Sequence, residues 1–184
     1  MATYVILLRG INVGRNRRLA MADLRELLAG LGATDVRTHL NSGNAVFTST
    51  VTNARRLERD VEEAIEISLG MTVRCMLRTG AEMRAVVEGN PLRGIASDGS
   101  RLLALFLSVA PDPRLVTAHN PLTLDPDRVR IGDRVIYQWC PDGFLAAPPV
   151  GGYVEKHLGV GVTARNWNTV TKLADLATST PARH

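Results

Sequence analysis

Aromatic side chains are scarce in this 184-residue chain, at 4%. So few ring faces argue against a binder that stacks single-stranded bases on several aromatics. Cysteine is nearly absent as well: Cys75 and Cys140 stand too far apart for a CxxC redox or zinc motif. Two free thiols in a reducing compartment are therefore expected. His39, His119, His157 and His184 form no HExxH pattern and no short His/Cys spacing, so neither a metal nor another cofactor is expected. No apolar run approaches the ~18 residues of a membrane-spanning helix. The first run, Tyr4 to Leu8, meets a charge at Arg9, unlike a secretory signal. The expectation is a cytoplasmic protein with no membrane partner.

Lysine is almost missing too. Of 22 basic residues only Lys156 and Lys172 are lysines, and the net charge is +4. That charge permits attraction to an anionic partner, but an arginine-, alanine- and glycine-rich composition also follows from a GC-rich coding sequence. Hydrophobic residues at 45% and charged residues at 22% leave ample material for a core.

Periodicity supplies the elements. Tyr4 to Leu8 reads as a buried strand. Met21, Leu24, Leu27, Leu28 and Leu31 fall at helical spacing, with Gly32 as a stop. Val36, Thr38 and Leu40 alternate with Arg37, His39 and Asn41, and Ala45 to Thr48 follows the Asn41-Ser42-Gly43-Asn44 cluster, which is a hairpin signature. A helix over Ala54 to Leu69 and a strand over Met71 to Leu77 complete a β-α-β-β-α-β order, the ferredoxin-like one.

The remainder reads more loosely in the same order. A helix spans Ala81 to Glu88, a strand Leu102 to Val109, and a proline-rich connection Pro111 to Pro126. A hairpin of Val129 to Ile131 with Val135 to Trp139 follows. After a loop from Pro141 come a short helix at Val154 to Leu158, a strand at Val160 to Thr163 and a final helix capped by Asn166. The expected fold class is α+β, with two ferredoxin-like subdomains at 1–78 and 79–184.

Three separated motifs carry a likeness: Leu7 to Gly14, Thr38 to Phe47, and Thr163 to Val170. In these the sequence closely resembles the domain of unknown function 1697 family. The resemblance spans nearly the whole chain. It implies a bacterial α+β protein with two subdomains of ferredoxin-like character, and it brings no activity with it. Arg15, Arg17 and Arg18 stand where relatives tend to show Asn, Lys and a small hydrophobic residue.

The same motifs hold the candidate site. Arg9-Gly10-Ile11-Asn12-Val13-Gly14 leaves a strand before a helix, where backbone amides and a guanidinium can grip an anion. It is neither GxGxxG nor a P-loop, and its glycines equally serve loop geometry alone. Asn41, Ser42 and Asn44 suit either turn chemistry or binding. Asn166 suits either a cap or a ligand, and Arg165 is placed to reach away from the packed helix stripe. Cys75 shares parity with Val73 and Leu77 as a small buried hydrophobe, whereas Cys140, ending a strand beside Pro141, is expected to be partly exposed.

The sequence therefore predicts that Arg9, Asn12, Arg37, Asn41, Ser42, Asn44, Arg165 and Asn166 converge across the two halves into one polar, net positive cleft. An arginine fork there suits phosphate or carboxylate. The leading expectation is a non-catalytic binding protein for a small anionic ligand. One alternative is an enzyme on a phosphorylated or carboxylated small molecule using His39 and Ser42. The other is a nucleic-acid binder using Arg15, Arg17 and Arg18. Oligomeric state is left open.

Overall fold

In the computed structural model, residues 1–11 and 18–179 are described; Asn12, Arg15, Arg17 and His184 lie outside them. The chain divides into two compact units, Met1–Arg84 with Lys172–His184, and Ala85–Thr171. It is an α+β protein.

The first unit holds β1 (Ala2–Arg9), α1 (Met21–Gly30), β2 (Thr34–Thr38), β3 (Asn44–Ser49), α2 (Ala54–Leu69), β4 (Arg74–Thr79) and the start of α3 (Gly80–Glu88). Its antiparallel sheet runs β2-β3-β1-β4, the ferredoxin-like order. Alternation along β1 sends Tyr4, Ile6 and Leu8 to one face, where they pack with Leu24 and Leu28 of α1 and Leu57, Val61 and Ile65 of α2. Each such buried side chain contributes about 1.5–3 kcal/mol. Asn53 caps α2 by accepting from the Arg56 amide, and Gly70 ends it in the left-handed region at φ 62°.

The second unit continues from α3 into β5 (Leu102–Leu107), α4 (Pro113–Ala118), a 3-10 turn (Pro121–Leu124), β6 (Val129–Gly132), β7 (Val135–Trp139), α5 (Val150–Leu158), β8 (Val162–Asn166) and the start of α6 (Trp167–Thr178). Its sheet runs β6-β7-β5-β8. Leu105, Leu107, Ile136 and Val162 pack on Val150, Val154 and Leu158 of α5.

The second unit thus repeats the first strand for strand, and local bonds recur at matching places. The Leu8 amide donates to the Gly43 carbonyl as the Leu107 amide does to Arg134, each at 2.8–2.9 Å. Glu62 accepts from the Cys75 amide at 2.9 Å as Glu155 does from Val162 at 3.0 Å. Gly70 and Gly159 close α2 and α5 in the same left-handed conformation. Thr79 accepts from the amide three residues on, and so does Asn166.

Length differs at particular connections. In the first unit β1 reaches α1 through Gly10 to Ala20, whereas β5 reaches α4 through Ser108 to Asp112. The β2–β3 turn is likewise longer than the β6–β7 turn. In the second unit the longer connection is Cys140 to Pro149, between β7 and α5, against Thr50 to Asn53 between β3 and α2.

Several expectations are corrected. The proline-rich stretch is not simple loop, because Asp112 caps α4 with Pro113 in its first turn, and Asn120 with Pro121 does the same for the 3-10 turn. Helix α5 begins earlier than expected, at Val150. Leu40 does not continue the strand's apolar stripe. It turns into the left-handed region at φ 57° and is 58% exposed. Cys140 is buried.

Candidate functional site

In the first unit the first two sequence motifs meet at one end of the sheet. Leu7 pairs with Asn44 across β1 and β3, and the Leu8–Gly43 bond extends that pairing into the turn. Gly43 adopts φ 78°, and a Cβ there would lie 2.6 Å from Ile11 Cδ1 and 2.7 Å from Leu8 Cβ. Only glycine fits such a backbone against the departing loop. The turn and the loop are therefore interlocked, with Arg9, Arg18, Asn41 and Ser42 exposed.

Asn44 is fully buried and belongs to the scaffold. Its Nδ2 donates to the His39 carbonyl at 3.0 Å and to Ser42 Oγ at 2.8 Å, closing the turn and orienting the serine. His39 is half-buried, and burial followed by the Lys172 charge lowers its pKa.

Arg37 stands on the opposite face of the sheet from the α1–α2 core, level with Val46 on β3 and, through it, Val5 on β1 and Arg78 on β4. Its Nη2 donates to the Leu176 carbonyl at 2.7 Å and its Nη1 to Ser179 Oγ at 3.0 Å, which satisfies the C-terminal end of α6. Its Nε is buried without an acceptor among the described residues. Arg78 is 2% exposed and donates to the Leu77 carbonyl.

The second unit carries the matching row: Arg130, Tyr137, Ala104 and Arg165 lie level across β6, β7, β5 and β8. Arg165 does not reach outward, as the sequence had led us to expect. It is 9% exposed, and burial pushes its pKa down to about 10. Its Nη1 donates to Thr163 Oγ1 at 3.0 Å and to the Ala164 carbonyl at 2.8 Å. Asn166 caps α6 through the Thr169 amide at 2.9 Å. Sequence reasoning missed Arg78, although an arginine just before a helix-capping residue in both units, Arg78-Thr79 and Arg165-Asn166, was a readable signal.

Among the described residues, small hollows lie elsewhere. One of about 260 Å³ is lined by Arg59, Glu62, Glu63, Glu66 and Arg74 beside β4. One of about 270 Å³ lies beside Trp139 and Cys140 in the second unit. Both thiols are poor nucleophiles: burial raises the pKa of Cys75, and it pushes Cys140 up to about 11. Among the described residues no cluster of three metal-ligating side chains occurs, and no helix is long and apolar enough to cross a membrane.

No curated protein matches the sequence. A solved structure, described as that of the conserved bacterial protein SP0830 from Streptococcus pneumoniae, is similar with a TM-score of 0.72 at 25% identity, covering 96% of this chain and 99% of that one. Residues 1–137 match the family described as "Protein of unknown function (DUF1697)". That stretch contains both interlocked motifs of the first unit, and the chain belongs to this family.

Proposed function

We propose that the chain is a non-catalytic binding protein for a small ligand bearing phosphate or carboxylate, seated where the end of β1 meets the β2–β3 turn. The observation behind this reading is the unequal elaboration of two units with one topology. The first unit adds chain at the β1–α1 loop and at the β2–β3 turn, and these additions lock together through Gly43 and Ile11. The second unit completes the same sheet without either, so the fold does not require them. Function is the remaining reason to keep them.

The rim they form has the chemistry an anion needs. Arg9 supplies a guanidinium fork, Asn41 an amide donor, and Ser42 a hydroxyl held in place by Asn44. Gly10 at φ 68° is exposed and leaves the backbone approachable beside Arg9, while the buried Gly43 holds the turn against the loop. Arg37, engaged with the C-terminal end of α6, belongs to the scaffold in this reading.

A thermal-shift screen of inorganic phosphate, sugar phosphates, nucleotides and carboxylates tests it. A ligand at 100 times its dissociation constant stabilises by about 2.7 kcal/mol, and Arg9→Ala and Asn41→Ala should each reduce that shift. Binding that both variants retain in full contradicts the seat. Turnover of the bound compound, lost in His39→Ala, contradicts the non-catalytic reading. A steep fall of affinity with salt on DNA or RNA favours nucleic acid instead.

A further inference from the structure

Helix α4 has six residues and no buried side chain. A helix that short is unstable alone, so its neighbours must hold it in place. Near its middle, Val116 is half-buried against the apolar cluster that includes α5. At its C-terminal cap, the ring of His119 lies against that of His157 in the last turn of α5, with ring centroids 4.9 Å apart. Tyr153, one turn earlier on α5, also packs on His157, at 4.4 Å.

Both imidazoles are half-buried, and neither ring makes a hydrogen bond or ion pair among the described residues. The groups around them favour the neutral form. Burial, His119 and then Lys156 lower the pKa of His157. Glu155, the carboxylate beside these residues on α5, is committed to the Val162 amide at 3.0 Å. On α4, Asp112 and Arg114 lie at the opposite end, about 10 Å away along the axis, and Asp112 is bonded to the Arg114 amide. The 3-10 turn, which also packs on α5, carries no titratable group. Each helix C-terminus favours a cation through its dipole, so a single proton on the pair is tolerated. A second proton sets two cations in contact, with neither ring bonded to a carboxylate. A ring freed from the contact takes its proton near the ordinary value of 6.5, so falling pH favours separation.

We propose that His119 and His157 form a proton-sensitive latch: the neutral rings keep α4 docked on α5, and protonation of both releases it. Release uncovers the part of the second core that Val116 covers. The latch is independent of the anion seat, which lies in the first unit.

Amide hydrogen exchange of the full chain at about pH 7.5 and about pH 5.5, corrected for intrinsic exchange rates, tests it. The Val116 and His119 amides, which donate to the Asp112 and Leu115 carbonyls at 3.0 and 2.8 Å, report on α4. Their protection should fall roughly tenfold on acidification, the factor for one pKa unit of differential proton binding, while that of Leu105 in β5 falls less. His119→Phe and His119→Gln take no proton at this position, so in both variants the protection of α4 should be constant between the two pH values. Parent α4 amides equally protected at both pH values overturn the proposal. So do α4 amides already unprotected at the higher pH, an equal loss at Leu105, or variants that lose protection on acidification as the parent does.

Discussion

Gly43 couples local backbone conformation to the shape of the candidate site. Gly43→Ala places a methyl group at 2.6 Å from Ile11 in a backbone region that L residues avoid. It should cost about 1–3 kcal/mol in chemical unfolding and weaken ligand binding, because the loop must move off the turn. The turn's glycine and asparagines were legible from their pattern, but the fate of each side chain was not. Asn44 and Arg37 look equally polar in sequence; one is taken up inside the turn and the other at the end of α6, through contacts made far along the chain. Two histidines carry a pH prediction. Burial and Lys172 lower the pKa of His39, while burial, His119 and Lys156 lower that of His157. Protons therefore bind the unfolded chain, near pKa 6.5, more readily than the native one. Stability should fall as pH drops from about 7.5 towards about 5, and the fall should shrink in the His39→Gln/His157→Gln variant when urea midpoints are compared.

At the scale of elements, the strand edges are guarded by carboxylates. The edge strand β4 has alternate amides, those of Cys75, Leu77 and Thr79, donating to Glu62, Glu58 and Glu82 at 2.7–2.9 Å. On β8 the Val162 amide donates to Glu155. Such bonds satisfy amides that would otherwise recruit another strand. Glu62→Ala should destabilise by about 1 kcal/mol or more and speed aggregation on warming, read by light scattering. Asn166→Ala should cost about 1 kcal/mol through the lost α6 cap, measured by thermal unfolding. Helix α2 was readable to its ends because its apolar stripe, Asn53 and Gly70 agree. Helix α4 was not, because it has no buried face to create a period and its prolines, which start it, read as loop. Arg165 was misjudged because periodicity in the sequence ends the strand at Thr163 and sets Arg165 beside the helix stripe, whereas it lies within β8, on a buried face.

For the whole molecule, the element order was legible because each unit needs two helices to cover one face of four strands, whereas the strand order of the second half, β6-β7-β5-β8, was not. The repeat was legible more loosely as the same element order in the second half, but its residue-level match was not, since matching positions share hydrogen-bonding roles more than residue identity: Gly43 corresponds to Arg134, and Thr79 to Asn166. Once seen, the repeat supplies an internal control for the functional claim. Residues around Ser108 to Asp112 and Gly132 to Val135 occupy the equivalent end of the second sheet without the added chain. Backbone amide shifts should be followed by NMR while a ligand from the phosphate and carboxylate panel is titrated in. The account predicts saturable shifts at Arg9 to Ile11 and His39 to Asn44, with the matching residues of the second unit unmoved. Equal shifts at both ends, or shifts that never touch Arg9 and Asn41, would contradict it.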